Sequence, residues 1–200
     1  MEISLRNSPL KTYTMKKIIL LCCILLIGSA GFSQEVYSSK NISIKFFSSA
    51  PLEDIDAVTQ NGTSVLAIGK NEFQFLVQIK SFTFQKSLMQ EHFNENYMES
   101  DKYPDARFSG RINESIDWKK DGVYNVTVSG KLTVHGTDRD RTIPGTITIK
   151  NGNISINSQF DLICKDHGIK IPTMMTEKIA ETVKVTVSGA YTPYVKPEKK

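Results

Sequence analysis

The chain has little of what several functions require. It carries three cysteines in 200 residues, and two of them, Cys22 and Cys23, lie in an N-terminal apolar run. Beyond that run there is one thiol, Cys164, and so no internal disulfide; stability there must come from an apolar core. The histidines are His92, His135 and His167. No pair has the H-x-x-x-H spacing of a helical metal site and no cysteine cluster accompanies them, so no metal ligands are assigned. A Gly-x-Ser-x-Gly elbow and a glycine-rich phosphate loop are both missing. Cys164 has Lys165 and His167 nearby in sequence but no base placed by any motif, so it reads as a buried thiol and no catalytic residue is assigned. Charge is scarce too. The excess is 25 basic over 21 acidic residues, and Arg6, Lys11, Lys16 and Lys17 against Glu2 account for most of it, which excludes the basic face of a nucleic-acid binder. The N-terminal run, Ile18 to Ile27, is ten residues long, short of the roughly 20 that a spanning helix needs.

That run has the layout of a secretory leader. Met15-Lys16-Lys17 supplies a positive start and Ile18 to Ile27 the apolar segment. Gly28 to Ser33 supplies small residues, with Gly31 and Ser33 at −3 and −1 of a cut before Gln34. Leu21 before Cys22 does not fit a lipid-acceptor cysteine. Residues 1–33 are therefore expected to be a signal peptide, with 1–14 an upstream extension or Met15 the true start. Residues 34–192 form the folded domain and 193–200 a flexible tail. The expected location is periplasmic or secreted, with no membrane span after cleavage.

From Asn41 onward apolar and polar residues alternate with a period of two, as in half-buried strands. Ile42, Ile44 and Phe46 share a face, as do Phe73, Phe75, Val77 and Ile79. The long strand from Tyr124 carries Val126, Val128, Gly130, Leu132 and Val134 on one side. Val183, Val185 and Val187 repeat the pattern near the end. Hairpin turns are predicted at Asn61-Gly62, Asp121-Gly122 and Asn151-Gly152, and a charged turn at Asp138-Arg139-Asp140-Arg141. The parity change from Ile79 to Phe82 and Phe84 predicts a bulge or bend near Ser81.

One stretch, Phe82 to Met98, breaks the alternation. Met89, Phe93 and Tyr97 recur every four residues with Leu88 and His92 beside them, which predicts an amphipathic helix lying on the sheet. Eight or nine strands with a single helix fit an antiparallel sandwich or barrel. A small barrel is either filled by its own side chains or encloses a ligand, and periodicity leaves both open.

Three segments resemble one family. Ser81 to Gly110, with its helix, Tyr103-Pro104 and Ala106-Arg107-Phe108, is similar to the strand-helix-strand block of the YceI-like proteins. Gly130-Lys131-Leu132-Thr133-Val134-His135-Gly136-Thr137 resembles their strand end, and Asp166-His167-Gly168-Ile169 with Glu181 to Ser188 their closing loop and strand. The resemblance implies an all-β, antiparallel, lipocalin-like barrel of about eight strands with one inserted helix. It also implies a non-catalytic exported protein that sequesters or carries a polyisoprenoid or quinone-like lipid, with no other cofactor. The residues expected to line its tunnel are Phe73, Phe75, Val77, Ile79, Phe84, Leu88, Met89, Phe93, Tyr97, Leu132, Val134, Phe160, Leu162, Val183, Val185 and Val187. His135 reads either as a rim hydrogen bonder or as a contact to the lipid head group. Arg139 stands where the charged turn departs from the family pattern, and is the second head-group candidate. The rival reading is a structural or protein-interaction module with a filled barrel. Oligomeric state is not legible.

Overall fold

A computed structural model describes residues 35–195. The expected leader and the last five residues of the tail lie outside the described residues. The alternating pattern resolves into nine strands: β1 (Val36–Ser49), β2 (Asp54–Ala67), β3 (Glu72–Gln78), β4 (Thr83–Phe84), β5 (Asp105–Ile112), β6 (Gly122–Val134), β7 (Thr137–Lys150), β8 (Asn153–Ile163) and β9 (Thr182–Pro193). Hydrogen-bonded neighbours run β1-β9-β8-β7-β6-β5-β3-β2, and β2 pairs back onto β1. Eight strands thus close into an antiparallel barrel, with free edges where β7 and β8 share no ladder, from Thr137 to Gly145 and from Ser158 to Ile163. The short β4 adds a two-residue pairing on β2, with Ala57 opposite Phe84 and Val58 opposite Thr83.

Three turn expectations are corrected. Asn61 and Gly62 lie inside the continuous β2, where the β1–β2 register slips between Ser39 and Ile44. A Cβ on Gly62 would stand 2.9 Å from the Ile42 carbonyl oxygen, so the glycine serves a bulge with close backbone approach, not a hairpin. The segment Asp138 to Arg141 is strand, not turn. The reversal is made by His135 (φ 50°) and Gly136 (φ 67°) between the paired Val134 and Thr137, the two-residue turn with positive φ that suits strand twist. Asp121-Gly122 starts β6 but is not itself the reversal, because a loop carrying Trp118 connects β5 to it. Asn151-Gly152 is a two-residue hairpin as expected, with φ of 51° and 76°. The parity change near Ser81 comes from a 3₁₀ turn, Ile79–Ser81, that ends β3 and delivers Phe82 inward.

The helix is shorter than the predicted stretch. Helix α1 (Ser87–His92) passes into a π-helical turn, Phe93–Tyr97, closed by Met98 N–H donating to Phe93 O at 2.8 Å. Six α-helical residues are too few for independent stability. The helix is held by its apolar stripe: the Phe93 ring lies 5.0 Å from Phe84, 5.4 Å from Phe46 and 5.9 Å from Phe82, centroid to centroid. Its start is tied to the β1–β2 turn by the Lys86–Glu53 ion pair at 2.6 Å.

The inward face forms two buried clusters. One contains Ile42, Leu66, Ile112, Ile147 and Ile154, and closes around the buried bond that Tyr191 Oη donates to Ser64 Oγ at 2.6 Å. The other contains Ile79, Met98, Phe108, Leu132, Leu162 and Cys164. Phe73, Phe75, Phe93, Ala106, Val128 and Val185 touch both clusters yet are only partly buried. Inward residues that keep accessible surface face a void.

Candidate functional site

That void is an internal cavity of about 250 Å³, larger than the roughly 150 Å³ apolar cavity known to take up benzene. The barrel is therefore not filled by its own side chains. Each wall follows from strand parity. Phe73, Phe75 and Val77 come from β3, with Ile79 just beyond it. Leu132 and Val134 come from β6, Phe160 and Leu162 from β8, and Val183, Val185 and Val187 from β9; all of these line the cavity. Phe84, Met89, Phe93 and Tyr97 cover it from the β4–α1 segment. Burial raises the pKa of the Tyr97 hydroxyl, so the phenol stands as a neutral donor among apolar neighbours.

Leu88 is the correction. It is 60% exposed and lies outside the lining, because a one-residue step along a helix rotates a side chain by about 100° away from the Met89 direction. Ile44, Phe46, Phe82, Met98, Phe108, Ile143, Ile147 and Ile156 line the cavity as well. They are not among the lining residues expected from sequence, although Ile44, Phe46, Phe108, Ile147 and Ile156 sit on the same inward parity as those that are.

Neither head-group candidate is among the residues that line the cavity. His135 Nδ1 is 3.2 Å from the His167 carbonyl oxygen and Nε2 is 2.8 Å from Glu99 Oε2. The ring is held at both nitrogens, by a backbone carbonyl on one side and a carboxylate on the other. The Tyr103 ring packs edge-on against it at 4.4 Å. His135 thus fastens the β6–β7 turn to the Glu99 region and to the 3₁₀ turn Cys164–His167. Arg139 is exposed, opposite Leu132 in the ladder, and donates to the Asp138 carbonyl at 3.1 Å.

Two buried groups lie at the same end. Cys164 borders the cavity, and burial pushes its thiol up to about 11, the reverse of the depressed value a nucleophilic cysteine needs. His167 is fully buried, and its Nδ1 donates to the Thr137 carbonyl at 3.2 Å. Its Nε2 has no partner. A proton added there would have no acceptor, so burial lowers the pKa of this ring, and the nearby Arg139 and Arg141 act in the same direction. Among the described residues no group of three or more His, Cys, Asp or Glu is placed to hold a metal ion, and no helix is long and apolar enough to cross a membrane.

Comparison with known proteins gives a consistent answer. No curated protein sequence matches the chain. Among solved structures, a polyisoprenoid binding domain from Saccharophagus degradans implicated in plant cell wall breakdown superposes with a TM-score of 0.67 at 15% identity, covering 79% of this chain and 98% of that one. Burkholderia cenocepacia BcnA superposes with 0.64 at 14% identity, covering 76% and 96%. A Campylobacter jejuni YCEI protein gives 0.56 at 14% identity, covering 70% and 85%. At such identities these likenesses establish the shared fold. The YceI-like domain matches residues 38–191, nearly the whole closed barrel, and the chain belongs to that family.

Proposed function

We propose that the protein is a non-catalytic exported carrier that sequesters a long-chain isoprenoid, of the polyprenyl or quinone kind, inside its barrel. The observation that carries this reading is the apolar cavity itself, walled by Phe73, Phe75, Leu132, Val183 and Val185 and roofed by Met89 and Phe93. Moving an apolar chain from water into such a space is favoured by about 0.8 kcal/mol per buried methylene. A tail of several isoprene units therefore gains enough to hold without any covalent or ionic anchor. The S. degradans relative is described as a polyisoprenoid binding domain, which favours this tail chemistry over other apolar ligands. Export is supported by the leader layout of residues 15–33. The high thiol pKa of Cys164 favours binding over nucleophilic chemistry.

The test is native mass spectrometry of protein purified from its own host. The expected result is a bound lipid released on denaturation, and its loss in Phe75→Asp, with folding checked by circular dichroism. Leu132→Asp provides a second variant in the same cross-strand row, joined to Phe75 through Phe108. Protein that is reproducibly lipid-free, and that takes up no apolar fluorescent probe after purification, would overturn the carrier reading.

A further inference from the structure

The cavity and the outer surface meet where β7 and β8 part. Their ladder runs from Lys150 opposite Asn153 to Thr146 opposite Asn157 and stops. Strand β7 stays paired to β6 along its whole length, and β8 stays paired to β9 from Ile154 to Ile163. Pro144, which has no amide hydrogen, and Gly145 mark the point of divergence. Beyond it two side-chain bonds span the gap: Ser158 Oγ donates to the Pro144 carbonyl at 2.6 Å, and Arg141 Nη2 to the Asp161 carbonyl at 2.6 Å. The far end is joined again where His167 Nδ1 meets the Thr137 carbonyl. The result is a slit in the barrel wall.

Outside, the slit opens into a groove of about 520 Å³. Pro144, Gly145, Thr146, Asn157 and Ser158 border the groove and the cavity alike, so a single layer of residues divides the apolar interior from a polar exterior. The other groove walls are Glu114, Asn125, Thr127 and Gln159 with Val126. Its polar groups are amides, hydroxyls and one carboxylate, and among the described residues no lysine, arginine or histidine lines it. Glu114 accepts from Thr127 N–H at 2.7 Å and Thr127 Oγ1 at 2.9 Å, and the backbone bond in particular holds its carboxyl below the usual range. The groove therefore carries a fixed negative charge. Arg141, the nearest cation along β7, donates to the Asp161 backbone carbonyl across the slit and lines neither space.

The geometry points to this slit and groove as the place where the polar end of a bound lipid leaves the barrel, and to an uncharged hydrogen-bonding head, an alcohol or ring carbonyl, as the class it takes. The inference rests on the carrier reading. A tail held in the cavity brings its head to the wall, where a polar group left inside would lose its water without replacement partners. Amide and hydroxyl groups at Asn125, Thr146, Asn157, Ser158 and Gln159 offer both donors and acceptors to a neutral head. In the groove a diphosphate would instead meet the Glu114 carboxylate, with no cation among the groove walls, a like-charge juxtaposition that disfavours it.

The test compares two ligands with one tail. Delipidated protein is titrated with geranylgeraniol and with geranylgeranyl diphosphate by displacement of an apolar fluorescent probe, in the wild type and in Thr146→Lys. Thr146 is surface-accessible and its hydroxyl reaches Asn125 at 3.3 Å, so the variant adds a cation to the groove without disturbing the core. The alcohol should bind at least about tenfold tighter than the diphosphate, equivalent to about 1.4 kcal/mol, and Thr146→Lys should narrow that ratio by about tenfold. A diphosphate that binds equally or more tightly overturns the head assignment while leaving the tail site standing. An unchanged ratio in Thr146→Lys also overturns it, because the head then lies elsewhere. Failure of both ligands to displace the probe would bring down the carrier reading, and this inference with it.

Discussion

The Tyr103 ring fills the space that a side chain on Gly136 would need, with Cε1 2.5 Å from the position of a Cβ there. Gly136 also has φ of 67°, so two demands converge on the second residue of the β6–β7 turn. Gly136→Ala is expected to lower unfolding free energy by about 2 kcal/mol or more, combining left-handed strain with displacement of the ring. Gly152, at φ 76° with nothing within 4 Å of its Cβ position, supplies the control. Gly152→Ala carries the backbone strain alone and should cost about 1 kcal/mol. Urea denaturation of both variants checks the difference; equal losses would show that Tyr103 yields freely.

The buried pair Tyr191 and Ser64 makes an asymmetric prediction. Tyr191 Oη donates to Ser64 Oγ at 2.6 Å, and Ser64 Oγ donates onward to the Gln74 carbonyl at 2.7 Å. Tyr191→Phe removes one donor and leaves Ser64 its bond to Gln74, at a cost of about 1 kcal/mol. Ser64→Ala strands the phenol hydroxyl in the closed end of the barrel, where burial already raises the tyrosine pKa strongly. Its loss should be larger, about 2 to 3 kcal/mol. Thermal or chemical unfolding that ranks the two variants in the opposite order would contradict the proposed direction of the chain of bonds.

His167 sets an acid limit on stability. Its pKa is lowered in the fold, chiefly by burial, so the folded ring is neutral where the unfolded ring, near 6.5, begins to take up a proton. The unfolded state then binds more protons than the native state as pH falls below about 6.5, and stability declines from there toward the folded pKa, by at most about 1.4 kcal/mol per pH unit for this group. Above that window the contribution is complete and flat. His167→Gln should be less stable at neutral pH, having lost the fitted ring, yet should show a shallower decline between pH 7 and 5. Melting temperatures across that range provide the measurement, and parallel slopes for the two proteins would remove His167 as the cause.

The sequence displays inward faces well because strand parity is local. Val183, Val185 and Val187, or Leu132 and Val134, need only a period of two to share a side, and closure of the barrel then turns that side into a cavity wall. Turns are legible only where the local signal has one structural use. Asn151-Gly152 makes a hairpin, but Asn61-Gly62 carries the same dipeptide into a bulge because Ile42 approaches its backbone, a tertiary fact absent from the local pattern. Likewise Asp138 to Arg141 reads as a loop from its charge, yet the ladder to β6 continues through all four residues. The slit between β7 and β8 leaves one trace, a proline and a glycine at 144 and 145 inside an isoleucine-rich strand, but which neighbouring strand would part there depends on the closed topology. His135 shows the same limit: its three partners, Glu99, Tyr103 and His167, come from segments that only the fold brings together.

Cys164 offers a direct probe of the cavity. It borders the interior with 6% of its surface accessible, and burial pushes its thiol up to about 11. Alkylation proceeds through the thiolate. At pH 8 the Cys164 peptide should therefore react with iodoacetamide about a hundredfold more slowly than a free cysteine, and its rate should keep rising up to a pH of about 11 instead of levelling near 9. Mass spectrometry of the digested full chain separates this site from Cys22 and Cys23. Access gives a second axis, because a lipid tail occupying the space beside Cys164 excludes reagent as well as water. Geranylgeraniol at saturating concentration should slow the labelling further, by tenfold or more, since RT ln(10) of about 1.4 kcal/mol is well within the gain from burying a few isoprene carbons. Two results would count against this account. A pH profile that levels near 9 would mean the thiol is not desolvated, and a labelling rate indifferent to the alcohol would place any bound tail away from the Cys164 end of the barrel.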